Sequence, residues 1–175
     1  LVTSYEWIKM IKKNQFIKII GIFFLIFSFY SAYQFRNNLE IIVGLNAFLL
    51  IILICIFTDI GGYVFGKAIG GKKLSKISPN KTISGSIGSF IFSITPLIII
   101  LNSNHLDLEF NQKNIIFCLF VSLISQLGDL FISFLKRKAK IKDTGKILPG
   151  HGGIIDRVDG IIFAVPFSYF LLKLI

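Results

Sequence analysis

Five apolar stretches occupy most of this 175-residue chain, and they constrain its fold more than any other feature. They run over Phe16 to Tyr33, Ile41 to Ile60, Ile83 to Leu101, Ile115 to Leu135 and Ile154 to Ile175. Each approaches the roughly 20 residues that a helix needs to cross the hydrocarbon core of a bilayer. In lipid the backbone N–H and C=O groups have no water to bond, so such segments fold as helices. Lys18 stands near one end of the first and can snorkel to the interface. Pro96 interrupts the third. The predicted fold is all-α: a polytopic integral membrane bundle of about five transmembrane helices, a single membrane-embedded domain over residues 1–175. Composition agrees, with 54% hydrophobic residues and a mean hydropathy of +0.76. A soluble core of this chain length cannot hold that much apolar surface. Cys55 and Cys118 both lie in apolar runs, where they read as small buried hydrophobes.

Charge orients the stretches. Sixteen of the 19 basic residues fall in three places: four over Lys9 to Lys18, five over Lys67 to Lys81, and seven over Lys136 to Arg157. With five spans, all three places fall on one side. Arg36, Lys113 and Lys173 fall on the other, with Glu40, Asp107 and Glu109. The positive-inside rule puts the basic side in the cytoplasm. The expected location is the cell inner (cytoplasmic) membrane, multi-pass, with Gly- and Lys-rich cytoplasmic loops near 61–82 and 136–153. The net charge of +10 is mostly this bias. The basic loops lack interleaved aromatics, so no nucleic-acid partner is expected.

The acids can then be placed in depth. Asp59 lies eight residues before Lys67, near the cytoplasmic end of the second span. Asp129 lies seven residues before Lys136, roughly 10 Å below the basic end of the fourth. Asp156 and Asp159 stand at the start of the fifth and, as i and i+3, share one helix face. Acids from three distant segments therefore converge at one level. Asp156 or Asp159 alone can be a helix cap or a first-turn acid. Asp59 sits beside Gly61 and Gly62, where the helix is expected to end, and Asp143 in KDTG can be a turn residue. Asp129, inside SLISQLGDLFIS, is costly unless it faces protein, water or an ion. His151 stands among glycines in GHGG, which offer it little core packing.

Carboxylates suit a hard divalent cation such as Mg²⁺. Lysine and arginine neutralise phosphate oxygens, and glycine-rich backbone at a helix start offers N–H donors to anions. These parts at a membrane surface suggest a metal-bound nucleotide meeting a lipid. Neither a P-loop nor an HExxH motif is present, so ATP hydrolysis of that type and zinc proteolysis lack support.

The stretch SFLKRKAKIKDTGKILPGHGGIIDRVD, Ser133 to Asp159, closely resembles the signature of the phosphatidate cytidylyltransferase (CDP-diacylglycerol synthase) family. TDIGGYVFGKAIGGKKLSKISPNKTISG, Thr58 to Gly85, is similar to a second family block, departing from it at Ile60, Gly62 and Ser84. SYEW, Ser4 to Trp7, resembles a segment that follows the family's first spans, so further N-terminal membrane region is expected before Leu1. The resemblance implies transfer of CMP from CTP to phosphatidate, giving CDP-diacylglycerol and pyrophosphate in phospholipid biosynthesis. It implies a Mg²⁺ centre of one or two ions on Asp129, Asp156 and Asp159. Lys136, Arg137, Lys142 and Arg157 are the candidate phosphate contacts, with Lys81 and Lys67 secondary. Asp143, Gly152 and Gly153 complete the substrate loop, and His151 either contacts a nucleotide phosphate or orients a carboxylate. The implied partners are CTP and phosphatidate in the bilayer, with a homodimer allowed.

Two other readings fit parts of the pattern. A CTP-dependent lipid kinase would need a base for the lipid hydroxyl. A membrane transporter would place its polar residues at mid-membrane, whereas here they gather at one surface. The charge bias makes a direct prediction. Cysteines introduced between Lys67 and Lys81 will resist an impermeant thiol reagent applied outside intact cells, while those between Asn102 and Asn114 will react.

Overall fold

The computed structural model describes the chain apart from residues 12–13, 39–40, 76, 102–109, 146, 148–149, 151 and 175. The described residues form α-helices joined by loops, with one isolated bridge and no strand. In chain order the helices are α1 (Val2–Met10), α2 (Gln15–Asn38), α3 (Ile41–Ala68), α4 (Ile83–Phe92), α5 (Thr95–Leu101), α6 (Gln112–Lys138), α7 (Ile155–Val158) and α8 (Ile161–Leu174). Four segments are long and apolar enough to cross a membrane: Gln15–Asn37, Ala47–Ala68, Ile83–Ile100 and Gln112–Lys138. The third joins α4 to α5 across a break at the residues before Pro96, whose ring nitrogen cannot donate a helical hydrogen bond. The all-α membrane bundle expected from the sequence is what forms.

The helix starts have local causes. Asn14 accepts from the backbone N–H of Phe16 and Ile17, at 3.1 and 3.3 Å, at the head of α2. Thr82 accepts from Gly85 N–H at 3.0 Å to open α4, and Asn111 from Asn114 N–H at 2.9 Å to open α6. Each side chain satisfies a donor that the first turn leaves without a partner.

Two boundaries differ from the sequence reading. The second span does not end near Asp59: α3 continues through Gly61, Gly62 and Gly66 to Ala68, so the following loop begins later than residue 61. Its glycines face the glycines of α4 in an antiparallel pair. A Cβ at Gly61 would stand 2.5 Å from the Gly88 carbonyl oxygen, and one at Gly85 would stand 2.7 Å from that of Gly62. Contact between the two helices stabilises what the isolated sequence would fray. The fifth span is also not continuous from Ile154. A single turn, α7, precedes the 14-residue α8, with Gly160 between them pressed against Ser125 of α6.

Two apolar clusters hold the bundle. One joins Phe35, Ile51, Ile54, Leu97, Val121 and Val165, from α2, α3, α5, α6 and α8. The other joins Trp7, Met10, Leu25, Ile132, Leu135 and Ile155, so it ties α1 and α7 to the basic end of α6. Large apolar side chains such as Phe16, Phe23, Ile26 and Tyr30 remain exposed along α2, as a lipid-contacting surface requires. Gly61→Ala and Gly88→Ala are each expected to lower unfolding stability in detergent by about 1–3 kcal/mol. The exposed Ile87→Ala control will lower it less.

Candidate active site

The loop after α3 folds back on itself. Lys73 pairs with Thr82 in the isolated bridge, Leu74 N–H donates to the Lys81 carbonyl at 2.8 Å, and Ile83 N–H donates to that of Lys72 at 3.0 Å. The Ser84 hydroxyl donates to the Gly70 carbonyl, closing the loop's base. This fold-back carries Lys81 to Asp129 of α6, and the two form an ion pair. Ser133, one turn along α6, donates to the other oxygen of Asp129 at 3.3 Å.

A cavity of about 380 Å³ opens at this pair, between α3, α4, α6 and the folded loop. Asp59, Lys81, Gln126 and Asp129 are among the groups that line it. Asp59 and Asp159 both feel the charge of Asp129. Acids of α3, α6 and the α7–α8 junction are thus within electrostatic reach of one another, whereas Asp156, expected at the same level, takes other partners. Gly128 permits the approach of α8: a Cβ there would stand 2.6 Å from Phe163 and 3.0 Å from the Asp159 carbonyl oxygen. From the cavity wall a polar chain crosses the bundle. Ser86 donates to Gln126 at 2.6 Å, Gln126 to Ser122 at 3.3 Å, Thr58 to Ser122 at 3.0 Å, and Ser89 to the Thr58 carbonyl at 2.7 Å.

Asp156 belongs to a second cluster. Its Oδ1 accepts from Lys136 Nζ at 2.8 Å. Its Oδ2 accepts from Thr144 N–H at 2.8 Å, Gly153 N–H at 2.9 Å and Thr144 Oγ1 at 3.0 Å. Burial alone would raise its pKa, but the bond from Lys136 and those from the Gly153 and Thr144 N–H groups outweigh it and hold the carboxyl below its ordinary value. Lys136 and Asp156 are 12% and 9% exposed, so this ion pair is shielded from water. Although Asp156 and Asp159 are i and i+3, they take different partners: Asp159 Oδ1 accepts from Gly160 N–H at 2.9 Å. Among the described residues, no three Asp, Glu, His or Cys side chains are already gathered closely enough to hold one metal ion.

Arg137, Lys142, Asp143 and Arg157 are exposed around this second cluster. Gly152, at φ +86°, adopts a backbone conformation that suits glycine, and a Cβ there would stand 2.9 Å from Asp156 Oδ2. A Cβ at Gly153 would meet Thr144 and stand 2.7 Å from Glu6 Oε1. Both glycines therefore bring backbone against carboxylates. Lys67 Nζ donates to the hydroxyl of Tyr63, a residue of the cavity lining, at 3.4 Å. His151 lies outside the described residues.

The sequence reading gave Glu6 no role, yet it is 1% exposed and central to the loop. Its carboxylate accepts from Ile154 N–H at 3.0 Å, Ile155 N–H at 2.9 Å and Thr144 Oγ1 at 3.3 Å. Glu6 thus binds the first turn of α7 from α1. The available signal was periodicity: Thr3, Glu6, Trp7 and Met10 follow a helical i, i+3, i+4, i+7 pattern, which puts an acid in the buried stripe.

Glu6→Gln keeps the shape but turns an NH₂ toward backbone donors, so about 1–3 kcal/mol of stability will be lost. Thermal unfolding in detergent measures this. The lowered pKa of Asp156 makes its contribution present above the unfolded carboxylate pKa and lost as pH falls through the folded one. An Asp156→Asn chain will therefore show a flatter acid limb of stability against pH.

The Cytidylyltransferase family model matches residues 1–175. The chain is 46% identical over 118 residues to the phosphatidate cytidylyltransferase of Bacillus subtilis (strain 168), covering 67% of this chain and 44% of that relative. It is 40% identical over 149 residues to the phosphatidate cytidylyltransferase of Staphylococcus saprophyticus subsp. saprophyticus, covering 82% and 54% respectively. It is 42% identical over 158 residues to that of Staphylococcus aureus (strain COL), covering 87% and 55%. The chain spans about half the length of the curated relatives it matches. With a match along all its residues, the chain belongs to the cytidylyltransferase family.

Proposed function

We propose that this chain carries the reaction centre of a phosphatidate cytidylyltransferase, transferring CMP from CTP to phosphatidate with release of pyrophosphate. The observation that carries this reading is the Lys81–Asp129 pair at a polar cavity among membrane helices, with Asp59 and Asp159 in electrostatic reach. The names of the similar relatives point to the same substrates. The cavity faces the cytoplasm of the inner membrane in this reading, because the basic loop that carries Lys81 lines it.

A phosphatidate oxygen attacks the α-phosphorus of CTP. A new P–O bond forms, the bond to the bridging oxygen breaks, and pyrophosphate leaves with the electron pair. The nucleophile is already an anion, so the task of the site is to hold two polyanions in line and neutralise them. A bound Mg²⁺, or a pair of such ions, would supply charge neutralisation and orientation of the triphosphate. Asp129 and Asp159 are its proposed ligands, with Asp59 beside them as an oxygen donor. Asp156 was expected as a third ligand from the family resemblance. Its four hydrogen bonds suit it instead to holding Lys136 and the glycine loop. Lys81 brings positive charge to the cavity, and the exposed Arg137, Lys142 and Arg157 face incoming phosphate from the loop side.

Membranes carrying the protein, supplied with CTP and phosphatidate, are expected to form CDP-diacylglycerol and pyrophosphate in equal amounts. A phosphorylated lipid with CDP as co-product would instead identify a lipid kinase. Chelation will abolish turnover and added Mg²⁺ will restore it. Asp129→Asn and Asp159→Asn will each lower kcat by about 100-fold or more at equal folded yield. Arg137→Ala will mainly raise the KM for CTP. Near-normal Mg²⁺-dependent turnover in a folded Asp129→Asn protein refutes the proposed centre.

A further inference from the structure

A second groove, of about 560 Å³, lies where α1, the head of α2 and the basic end of α6 meet. It shares no lining residue with the cavity at Asp129. Met10, Ile11, Ile17, Leu135 and Ile141 give it an apolar wall. Lys138 and Lys140 stand on it, Asn14 adds a neutral polar group, and no acid lines it. An apolar slot with a cationic rim, at the end of a membrane helix, complements an acyl chain joined to an anionic head group.

The backbone at the rim gives an independent indication. α6 ends with Lys140 N–H donating to the Arg137 carbonyl at 3.0 Å and Ile141 N–H donating to that of Lys136 at 3.0 Å. This is the Schellman pattern, and its left-handed position usually takes glycine. Here Lys140 occupies it at φ +57°, the one non-glycine residue with positive φ among the described residues. Glycine would relieve that strain. Lys140 in this position, with Lys138, puts a second cation on the apolar groove.

We propose that this groove binds an anionic glycerophospholipid of the surrounding bilayer, with its phosphate against Lys138 and Lys140 and an acyl chain along Ile17 and Leu135. The site is separate from the proposed reaction centre and does not depend on its activity. Trp7, the chain's one tryptophan, reports on it. Its indole packs against Gly21 of α2, one turn beyond the groove residue Ile17, in the same apolar cluster as Met10, Ile11 and Leu135.

The test reconstitutes the chain in phosphatidylcholine vesicles containing either brominated phosphatidylglycerol or brominated phosphatidylcholine at equal mole fraction. Trp7 quenching then gives the relative affinity. Phosphatidylglycerol is neither a substrate nor a product of the proposed reaction, so catalytic binding does not enter. A preference on the order of tenfold for phosphatidylglycerol is expected from two lysines. It will fall toward unity in the Lys138→Gln/Lys140→Gln double variant. Lys140→Gly will melt at a higher temperature than the parent while losing part of the preference. This single variant carries the test if the double variant loses its folded emission. Equal quenching by both lipids overturns the proposal, as does a preference unchanged by either variant. No quenching by either lipid also overturns it, showing the groove to be covered by protein instead.

Discussion

A carboxylate on a bilayer-embedded helix must find a cation, a donor or water, because lipid offers it nothing. Asp129 meets that requirement with Lys81 and Ser133, and much of the surrounding structure serves to bring those groups together. Lys81 arrives on a loop folded by the Lys73–Thr82 bridge, and Thr82 then opens the next helix. The same need for internal partners explains the chain from Ser86 through Gln126 and Ser122 to Thr58. These hydroxyl and amide groups bond one another across α3, α4 and α6, and so fix which helix faces meet.

Close backbone approach is the second requirement, and glycine meets it in two different settings. Between α3 and α4 the glycines remove side chains from a helix interface, so the pair packs backbone to backbone. In the loop before α7 they let main-chain N–H groups reach buried carboxylates. Gly153 donates to Asp156, and the residues just after it donate to Glu6. Thr144 bonds both acids, so the loop hangs between α1 and α7 through two carboxylates and one hydroxyl. Gly153 and the two residues after it are thereby fixed against Asp156 and Glu6.

This division separates two tasks that one acidic motif seemed to combine. Asp159 accepts from Gly160 N–H and lies within electrostatic reach of Asp129 and Asp59. Asp156 turns toward Lys136 and the loop, where its charge is already neutralised. In the proposed reaction between two polyanions, Asp159 would offer oxygen donors to a cation, while Asp156 holds Lys136 beside the loop.

The sequence by itself determined the all-α membrane bundle, and its charge bias and the spacing of its acids set the expectations for orientation and site. Segment length, hydropathy and charge bias are properties of the chain alone, and the bilayer acts on them without reference to neighbours. The resemblance of the Ser133–Asp159 and Thr58–Gly85 stretches likewise placed the chain in its family. The continuation of α3 past Gly61 and Gly62 was not legible, because those glycines weaken an isolated helix and favour this one only through α4. Neither was the break before α8, which depends on Gly160 meeting Ser125. Glu6 stood 138 residues from Thr144 and 148 from Ile154, too far for any local spacing to connect them. Only tertiary structure decided which acid paired with Lys81, which with Lys136, and which took backbone donors, because hydrogen bonds act over a few ångströms of space whatever the separation along the chain.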